Sequence, residues 1–389
     1  MRILLFHTAP VDLVPPLMTA AAALADLGAE VFLVTPGSSP ESVQYLERHA
    51  VRVLLATDDR RRSTRLDRGL ARVGAGVKFL QSLSGVAPDC LWYVGAAAME
   101  WGLLPAVNRQ RVVVAQATEL HDDSFLAGRV QKRLIARADV VVVPEENRAW
   151  ILRVTTGSRA KFFVVPNRPL DDTIPRSDGS GKARATFLRF GGSERCRRFL
   201  IYQGLVRPGR CLETCIQAFQ ALADPEVGLL IVGLDCECAS FDWLFAMSRD
   251  DNRIVLVPRI TPPLHLEVTS GCDGGILLYA PWSLNHVYCA PNKLYEYAAF
   301  GLGMILPRYP GIERINVEFN IGVLCDPESV ESVHAAMVQV LSKSREHWQR
   351  AGRTFLERGA RVCELYSDIL HYLAKTRRTS TSGRPSPSD

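Results

Sequence analysis

The sequence lacks any run of apolar residues that approaches the roughly 20 needed for a helix to cross a bilayer. It also lacks a secretory signal, because residues 1–8 pass at once into an apolar strand pattern. We therefore expect a cytoplasmic protein whose contact with a membrane would be peripheral.

Paired cysteine motifs are also missing, although ten cysteines are present. Cys211 and Cys215 have helical spacing, Cys236 and Cys238 have strand spacing, and no histidine lies near either pair. Zinc and redox sites typically need paired Cys-x-x-Cys ligands or added histidines. The pattern therefore favours buried, reduced thiols over a metal site, and such thiols are typical of the cytoplasm.

A dinucleotide-binding fingerprint is absent from the first strand-to-helix turn, which reads His-Thr-Ala-Pro instead of Gly-x-Gly-x-x-Gly. This argues against a nicotinamide-dependent oxidoreductase. The surrounding pattern nevertheless predicts a parallel α/β sheet, with a strand up to His7, a helix over Pro15–Leu27 and a second strand over Val31–Thr35. His7 would lie at the ligand-binding edge of such a sheet, and the alternative is a solvated histidine at a strand end.

The composition is that of a folded protein with room for two domains. The chain has 389 residues, of which 47% are hydrophobic and 22% are charged. Its net charge of +5 is mild, so it is compatible with anionic partners without demonstrating them.

Basic residues are concentrated between positions 58 and 78, where they alternate with apolar ones. They are Arg60, Arg61, Arg62, Arg65, Arg68, Arg72 and Lys78. This pattern predicts a basic amphipathic segment that contacts anionic lipid, or a lipid-phosphate-linked substrate, through residues 60–80. A solvated helix face is the alternative. Aromatic residues are not interleaved with the basic ones and no nucleic-acid module is present, so we expect no nucleic-acid partner.

Residues 285–306 have the pattern of a helix that begins beside an anion. Pro291 suits a helix start, Asn292–Phe300 are mostly acceptable helix formers, and Gly301 and Gly303 end the helix. The first turn of a helix presents unpaired N–H groups that suit a diphosphate.

Two charged residues in this helix fit the same ligand. Lys293 would add a positive charge in the first turn, and Glu296, on the same face, could accept two hydrogen bonds from a ribose diol. The alternative is a surface helix with one ion pair, packed through Leu294 and Tyr297.

A second α/β unit begins with an apolar strand that ends in Gly204. Arg207 and Arg210 follow in the turn, and a helix is predicted over Leu212–Ala223. A strand, a glycine turn, basic residues and a helix together indicate a phosphate site. An exposed pair of loop arginines is the alternative.

Residues 291–297, which read Pro-Asn-Lys-Leu-Tyr-Glu-Tyr, together with Gly301 resemble the donor-binding signature of glycosyltransferase family 4. The resemblance covers nearly all of residues 1–375 and is stronger in 199–306 than before 112. It implies an α/β GT-B fold, in which two facing Rossmann-like domains enclose an interdomain active-site cleft.

The resemblance divides the chain into an N-terminal acceptor-side domain, residues 1–170, and a C-terminal nucleotide-sugar-binding domain, residues 199–345. The polar, turn-rich residues 171–198 between them are predicted to be linker and loop. A crossover helix at about 350–375 would return to the first domain. Residues 376–389, rich in Ser, Thr, Arg and Pro, are expected to be disordered.

The resemblance also implies the donor site. Glu296 would hold the ribose, the helix start would hold the diphosphate, and Arg210 stands where the family has a basic diphosphate clamp. Arg259 and Ile260 would border the nucleobase through backbone atoms. The donor-binding candidates are Gly204, Arg207, Arg210, Arg259, Ile260, Asn292, Lys293, Leu294 and Glu296.

Two positions depart from the family pattern. Tyr288 stands where many members have a second glutamate, and Leu205 stands where a basic residue often follows the glycine. Arg207 is the nearest substitute for the missing basic residue.

The acceptor side is implied by Thr118-Glu119-Leu120, which is similar to a His-Glu-Leu tripeptide at a strand end in related transferases. Glu119 is therefore a candidate for binding an acceptor or sugar hydroxyl, and His121 and His7 are further acceptor-side candidates. The alternative for Glu119 is a helix N-terminal charge, since Asp122 and Asp123 follow it.

The implied reaction is retaining transfer, of the hexosyltransferase type, from a nucleotide-diphosphate sugar to a hydroxyl of a glycan, lipid-linked or small-molecule acceptor in cell-surface polysaccharide or glycoconjugate biosynthesis. Glu119, Arg210 and Lys293 are the catalytic candidates. No cofactor or metal ion is expected, because the two cations and the helix start can stabilise the departing diphosphate. The alternatives are a non-catalytic GT-B-like binding subunit, or a sugar-nucleotide epimerase or phosphorylase of the same architecture.

Overall fold

The computed structural model describes residues 1–56, 65–104, 107–108, 111–121, 126–170, 180–234, 242–260 and 264–382. Several residues used in the predictions lie outside the described ones, namely Arg60, Arg61, Arg62, Asp122, Asp123, Cys236, Cys238 and the last seven residues. The chain forms two compact units. Unit 1 contains Met1–Arg168 and Arg361–Asp389, and unit 2 is Pro169–Ala360.

Unit 1 is built on a seven-stranded parallel sheet in the order β3-β2-β1-β4-β5-β6-β7. Its strands are β1 (Arg2–Phe6), β2 (Glu30–Thr35), β3 (Arg52–Leu55), β4 (Cys90–Val94), β5 (Val112–Gln116), β6 (Val140–Val143) and β7 (Lys161–Val164). The helices between them are α1 (Pro15–Asp26), α2 (Pro40–Arg48), α3 (Arg65–Val86), α4 (Ala96–Met99), α5 (Leu126–Ile135) and α6 (Glu146–Thr156). The central strands are apolar on both faces because helices cover both sides of a parallel sheet.

Unit 2 is built on a six-stranded parallel sheet in the order β10-β9-β8-β11-β12-β13. Its strands are β8 (Arg198–Gln203), β9 (Val227–Leu234), β10 (Ile254–Pro258), β11 (Gly274–Ile276), β12 (Gly303–Pro307) and β13 (Gly322–Cys325). Its helices are α7 (Ser180–Arg189), α8 (Leu212–Gln220), α9 (Asp242–Ser248), α10 (His265–Thr269), α11 (Leu284–Val287), α12 (Asn292–Phe300), α13 (Pro310–Phe319), α14 (Val330–Ser342) and α15 (Arg345–Gly359). The predicted parallel α/β class is confirmed in both units.

The prediction of linker and loop over residues 171–198 is wrong for residues 180–189, which form α7. Ala183 and Phe187 are fully buried, and the Phe187 ring packs 5.0 Å from the ring of Phe199 on β8. This helix forms because two apolar side chains four residues apart, on one face of the helix, pack against the core of unit 2, an effect that outweighs the polar residues around them.

The predicted single helix over about 350–375 is also wrong, because it is two helices. The helical conformation is interrupted at Ala360, a buried residue with φ −141° and ψ 50°. This residue separates α15 from a last helix, α16 (Val362–Ser382). The predicted disordered tail is wrong for residues 376–382, which continue α16. Arg377 extends from this part of the helix and forms an ion pair with Asp89 at 2.9 Å.

Helix α3 has one buried and one exposed apolar face. The buried face includes Ala75 and Phe79, and the Phe79 ring stacks 4.4 Å from the ring of Phe6 on β1. The exposed face contains apolar side chains at helical spacing, namely Leu70, Val73, Val77 and Leu80. In the described part of the chain, no helix has both the length and the apolar character needed to cross a membrane.

Candidate functional site

The predicted helix of the donor signature is present as α12, and Pro291 lies one residue before it as its N-cap. The helix ends at Gly301, whose φ of 65° lies in the left-handed region that glycine favours. Leu294 and Tyr297 are buried in the core of unit 2, and Ala298 meets α15 at Gly352, where a side chain would overlap the Ala298 carbonyl. This packing fixes the amino end of α12.

Two glycines bring the ends of β8 and β9 into close approach. Gly204 has φ 126° and Gly233 has φ 131°, and a Cβ on Gly233 would overlap the carbonyl oxygen of Gly204. A Cβ on Gly204 would lie 3.8 Å from Nζ of Lys293. Gly204 therefore leaves exposed backbone at the edge where the carboxyl ends of the parallel strands meet, which is the ligand-binding edge of such sheets.

Two cationic side chains converge at this edge on one aromatic ring. The guanidinium of Arg210 lies 4.5 Å from the ring centre of Tyr279, and Nζ of Lys293 lies 5.5 Å from it. Nζ of Lys293 also lies 4.2 Å from the ring centre of Tyr202. Aromatic faces stabilise a cation that has lost part of its hydration. The arrangement places two basic side chains beside the first turn of α12, which suits a diphosphate.

Burial and the neighbouring Arg210 lower the pKa of Lys293 from 10.5 to about 7, although Glu296 acts in the opposite direction. Lys293 is 8% exposed, so desolvation of its ammonium group is the main cause. At neutral pH Lys293 is therefore only partly protonated in the free protein, and an anionic ligand would favour the protonated form.

We expect the affinity for a nucleoside diphosphate to fall as the pH rises from 7.5 to 8.5, by up to about tenfold per unit. The sign follows from the pKa of about 7, because above it the free site must take up a proton to bind the anion. Calorimetry in two buffers of different ionisation enthalpy measures this uptake. The Lys293→Met variant should bind weakly at both pH values, and an equal affinity of the wild type at both would contradict the prediction.

Glu296, the predicted ribose ligand, is buried and belongs to a polar cluster. Gln203, the last residue of β8, donates a hydrogen bond from Nε2 to Oε2 of Glu296. Thr269, the last residue of α10, donates from Oγ1 to Oε1 of Gln203. Nε2 of His265 lies 3.9 Å from the same Glu296 oxygen.

Five residues that surround the predicted ones were not predicted from the sequence, namely Gln203, Thr269, His265, Tyr202 and Tyr279. One signal was available for Gln203, since an amide directly before Gly204 at the end of an apolar strand is unusual. Thr269 and His265 had none, because 66 residues separate Gln203 from Thr269 in the chain.

Other donor-side candidates follow strands β8 and β10, and they take no part in the polar cluster around Glu296. Arg207 and Arg259 are exposed, and in the described part of the chain no hydrogen bond or ion pair joins either of them to Glu296. Arg259 and Ile260 line a cavity of about 280 Å³ together with residues of α7 and β10. Leu205, at the place of the family's basic residue, is 39% exposed.

The loop that follows β11 packs against the Arg210 turn. A Cβ on Gly209 would lie 3.0 Å from the His286 ring and 3.1 Å from the ring of Trp282. His286 Nδ1 is 2.9 Å from the carbonyl oxygen of Ala280, and burial lowers the pKa of His286. A neutral His286 therefore donates from Nδ1 to that carbonyl, which fixes the turn before Arg210.

The acceptor-side candidates lie in unit 1. His7 follows β1, its Nδ1 lies 2.7 Å from the carbonyl oxygen of Val94, and burial lowers its pKa. The neutral ring thus donates from Nδ1 and leaves Nε2 as an acceptor. A Cβ on Gly95 would lie 3.4 Å from His7 and 3.9 Å from Oγ1 of Thr118, so these groups are neighbours. Glu119 is exposed, and His121, two residues further along the chain, is half-buried.

Within the described residues, no group of three or more His, Cys, Asp or Glu side chains is arranged to hold a metal ion. The described cysteines are free thiols, and burial raises the pKa of Cys211 and Cys215 to about 12.

Comparison with known proteins gives structural matches only. No protein-family model matches the chain, and no curated protein matches it in sequence. Among solved structures, a sucrose-phosphate synthase from Thermosynechococcus elongatus is 14% identical with a TM-score of 0.71, covering 99% of this chain and 100% of its own. Anabaena HepE, solved in complex with UDP and glucose, is 17% identical with a TM-score of 0.71, covering 96% of this chain and 100% of its own.

A third similar structure is WaaG, described as a glycosyltransferase involved in lipopolysaccharide biosynthesis. It is 13% identical with a TM-score of 0.65, covering 96% of this chain and 99% of its own. At these identities the likeness establishes the fold and not the activity. The chain therefore has the GT-B fold that the sequence predicts, built from two parallel α/β units like those of these glycosyltransferases.

Proposed function

We propose that this protein is a retaining glycosyltransferase that moves a sugar from a nucleoside-diphosphate donor to a hydroxyl group of an acceptor. The main support is the convergence of Arg210 and Lys293 on Tyr279 beside the first turn of α12. Glu296 lies three residues after Lys293 in the same helix, so both side chains are on one face of it. A diphosphate at the cations would place the ribose at Glu296.

The chemical step in this proposal depends on stabilising the leaving group. When the bond between the sugar C1 and the phosphate oxygen breaks, the diphosphate gains negative charge, and Arg210 and Lys293 can stabilise that charge more than the ground state. The acceptor oxygen bonds to C1 on the same face, and its proton passes to the departing phosphate oxygen. The two cations supply the countercharge in this scheme, so we propose a metal-independent, cofactor-free reaction.

The acceptor is proposed to bind at the carboxyl edge of the unit 1 sheet. His7 Nε2 and the Glu119 carboxylate can each accept a hydrogen bond from a hydroxyl group. We propose a glycan, lipid-linked or small-molecule acceptor in surface polysaccharide or glycoconjugate synthesis. The fold likeness to WaaG, whose description names lipopolysaccharide biosynthesis, supports this pathway class.

We also propose that the protein acts in the cytoplasm and contacts the inner face of the cell membrane through residues 60–80. The exposed apolar side chains of α3, from Leu70 to Leu80, support this contact, and the basic residues around them would favour anionic lipid.

The double substitution of Val73 and Val77 by aspartate is expected to weaken binding to vesicles that contain phosphatidylglycerol by roughly tenfold or more, since it places two charges in the contact face. Co-sedimentation measures the effect. Val338→Asp, at an exposed valine of α14, is the matched control and should leave binding unchanged. Failure of the wild type to sediment with these vesicles would remove the membrane contact from the proposal.

A calorimetric screen of the purified protein against UDP, GDP, ADP, CMP and NAD, with and without Mg²⁺, tests the function. UDP is the first choice because HepE is described in complex with UDP and UDP-glucose. A metal-independent preference for one nucleoside diphosphate supports the proposal. Absence of binding would overturn it, and binding without transfer or donor hydrolysis would favour a non-catalytic GT-B protein, as Tyr288 and Leu205 would allow.

A further inference from the structure

Three buried polar side chains from three different elements meet in the core of unit 2. Gln203 on β8 is 5% exposed, Thr269 on α10 is fully buried, and Glu296 on α12 is 7% exposed. The same two helices, α10 and α12, place Leu266 and Leu294 in the apolar core of unit 2. Burying polar groups in an apolar layer costs free energy unless each finds a partner, so a cluster of this kind calls for a functional explanation.

The hydrogen bonds of the cluster have one direction. The Thr269 hydroxyl has a single proton, and two oxygens that can only accept lie near it, Oε1 of Gln203 and the carbonyl oxygen of His265 at 3.0 Å. Donation to Gln203 Oε1 turns the amide nitrogen of Gln203 toward Glu296, to which it donates. The reverse amide orientation would place an acceptor oxygen against the carboxylate. The Thr269 hydroxyl and the Glu296 carboxylate therefore favour the same orientation of the Gln203 amide.

Gln203 in turn controls the carboxylate of Glu296. Nε2 of His265 faces the same oxygen, Oε2, but at 3.9 Å it is too distant for a hydrogen bond, and Nδ1 of His265 is buried without a partner. Within the described chain, Gln203 thus supplies the hydrogen bond that holds Oε2. Among the described residues, none forms a hydrogen bond or ion pair with the second oxygen, Oε1. This atom is not among the buried atoms without a partner, so it is accessible to a ligand.

We propose that Gln203 and Thr269 are positioning residues that orient Glu296 so that its accessible oxygen receives the ribose hydroxyls, and that they thereby make the site selective for ribonucleotides over nucleotides that lack the 2′- and 3′-hydroxyls. This inference rests on the proposed function, because it assumes that a nucleoside diphosphate occupies the site. The selectivity follows from the geometry. When the hydroxyls are absent, Oε1 of the buried carboxylate loses its ligand hydrogen bonds, and only the hydrogen bond from Gln203 to Oε2 is left.

The test compares UDP, GDP and ADP with their 2′,3′-dideoxy counterparts by calorimetry, using the full-length protein and the base that binds best. The wild type should prefer the ribonucleotide by roughly 10- to 100-fold. The double variant Gln203→Leu with Thr269→Val removes the hydrogen bond between these two side chains together with both of its partners. It also removes the hydrogen bond from Gln203 to Glu296. Its preference should fall to about threefold or less, while its affinity for the dideoxy nucleotide stays within about threefold of wild type.

Single variants separate positioning from a merely structural role. Thr269→Ser keeps the hydroxyl and should keep the wild-type preference, whereas Thr269→Val should lower it. Gln116→Leu is the matched control, because Gln116 is also buried at a strand end and accepts a hydrogen bond from Trp92 at 2.8 Å, but in unit 1. It should leave the preference unchanged.

The outcomes distinguish this inference from the function on which it rests. A folded double variant, or a Thr269→Val variant, with the wild-type preference would overturn the positioning role and leave the proposed function standing. Equal affinity of the wild type for the ribonucleotide and the dideoxynucleotide would also overturn the inference, since Glu296 would then not bind the ribose hydroxyls. If the wild type binds no nucleoside diphosphate, the proposed function fails and the inference fails with it.

Discussion

Replacing Arg210 with alanine is expected to weaken the binding of the preferred nucleoside diphosphate by roughly 100-fold or more while the fold is retained. The guanidinium is half-buried against Tyr279, where a charge-assisted hydrogen bond to phosphate contributes about 3 kcal/mol. Titration calorimetry measures the loss, and circular dichroism checks the fold.

The Arg210 variant should also show a second signature. Arg210 is one of the causes that lower the pKa of Lys293, so its removal should let Lys293 keep its proton to a higher pH. The fall in affinity with pH should then begin at a higher pH than in the wild type. Arg197→Ala is the matched control, because Arg197 is exposed just before β8, at the amino ends of the strands. The affinity of this variant for the nucleoside diphosphate should equal that of the wild type. Wild-type affinity in the Arg210 variant would remove it from the site.

Gly233→Ala is expected to destabilise unit 2 by about 3 kcal/mol or more. The φ of 131° is strained for any residue with a side chain, and the new Cβ would overlap the Gly204 carbonyl oxygen, which is backbone of the neighbouring strand. Such a loss corresponds to a fall in Tm of roughly 6–12 °C for a unit of this size. Scanning calorimetry measures it.

Gly181→Ala provides the comparison for that measurement. Gly181 lies in α7 of the same unit, and a Cβ there would meet nothing within 4 Å. Alanine is favoured over glycine in helices, so Tm should stay the same or rise slightly. A Gly233 variant as stable as Gly181→Ala would show that β8 and β9 can separate at their carboxyl ends without cost.

The sequence was most informative where the structure is set by neighbouring residues. The helix Asn292–Phe300 and its end at Gly301 follow from local propensity and a left-handed glycine, so both are confirmed. The parallel sheets were also predictable, because apolar strands alternate with helices along the chain. The site assignments of Arg210, Lys293 and Glu296 stay predictions until ligand binding is measured.

Features that depend on distant parts of the chain were not predictable from the sequence. The cluster of Gln203, Thr269 and Glu296 joins residues up to 93 positions apart. Helix α7 was missed because its two apolar anchors are few among polar residues, and docking on the sheet stabilises it. The break at Ala360 was missed because the helical pattern of α15 and α16 is nearly continuous in the sequence.

The path of the chain has a consequence for its synthesis on the ribosome. Unit 2 is one continuous segment, but unit 1 is closed by α16, whose Tyr366 is buried with its ring 6.2 Å from that of Trp92 on β4. Tyr372 of the same helix packs 5.8 Å from Phe163 on β7. Domains generally fold as their residues emerge during translation. Unit 1 must therefore wait, with these aromatic surfaces uncovered, until all of unit 2 has been made.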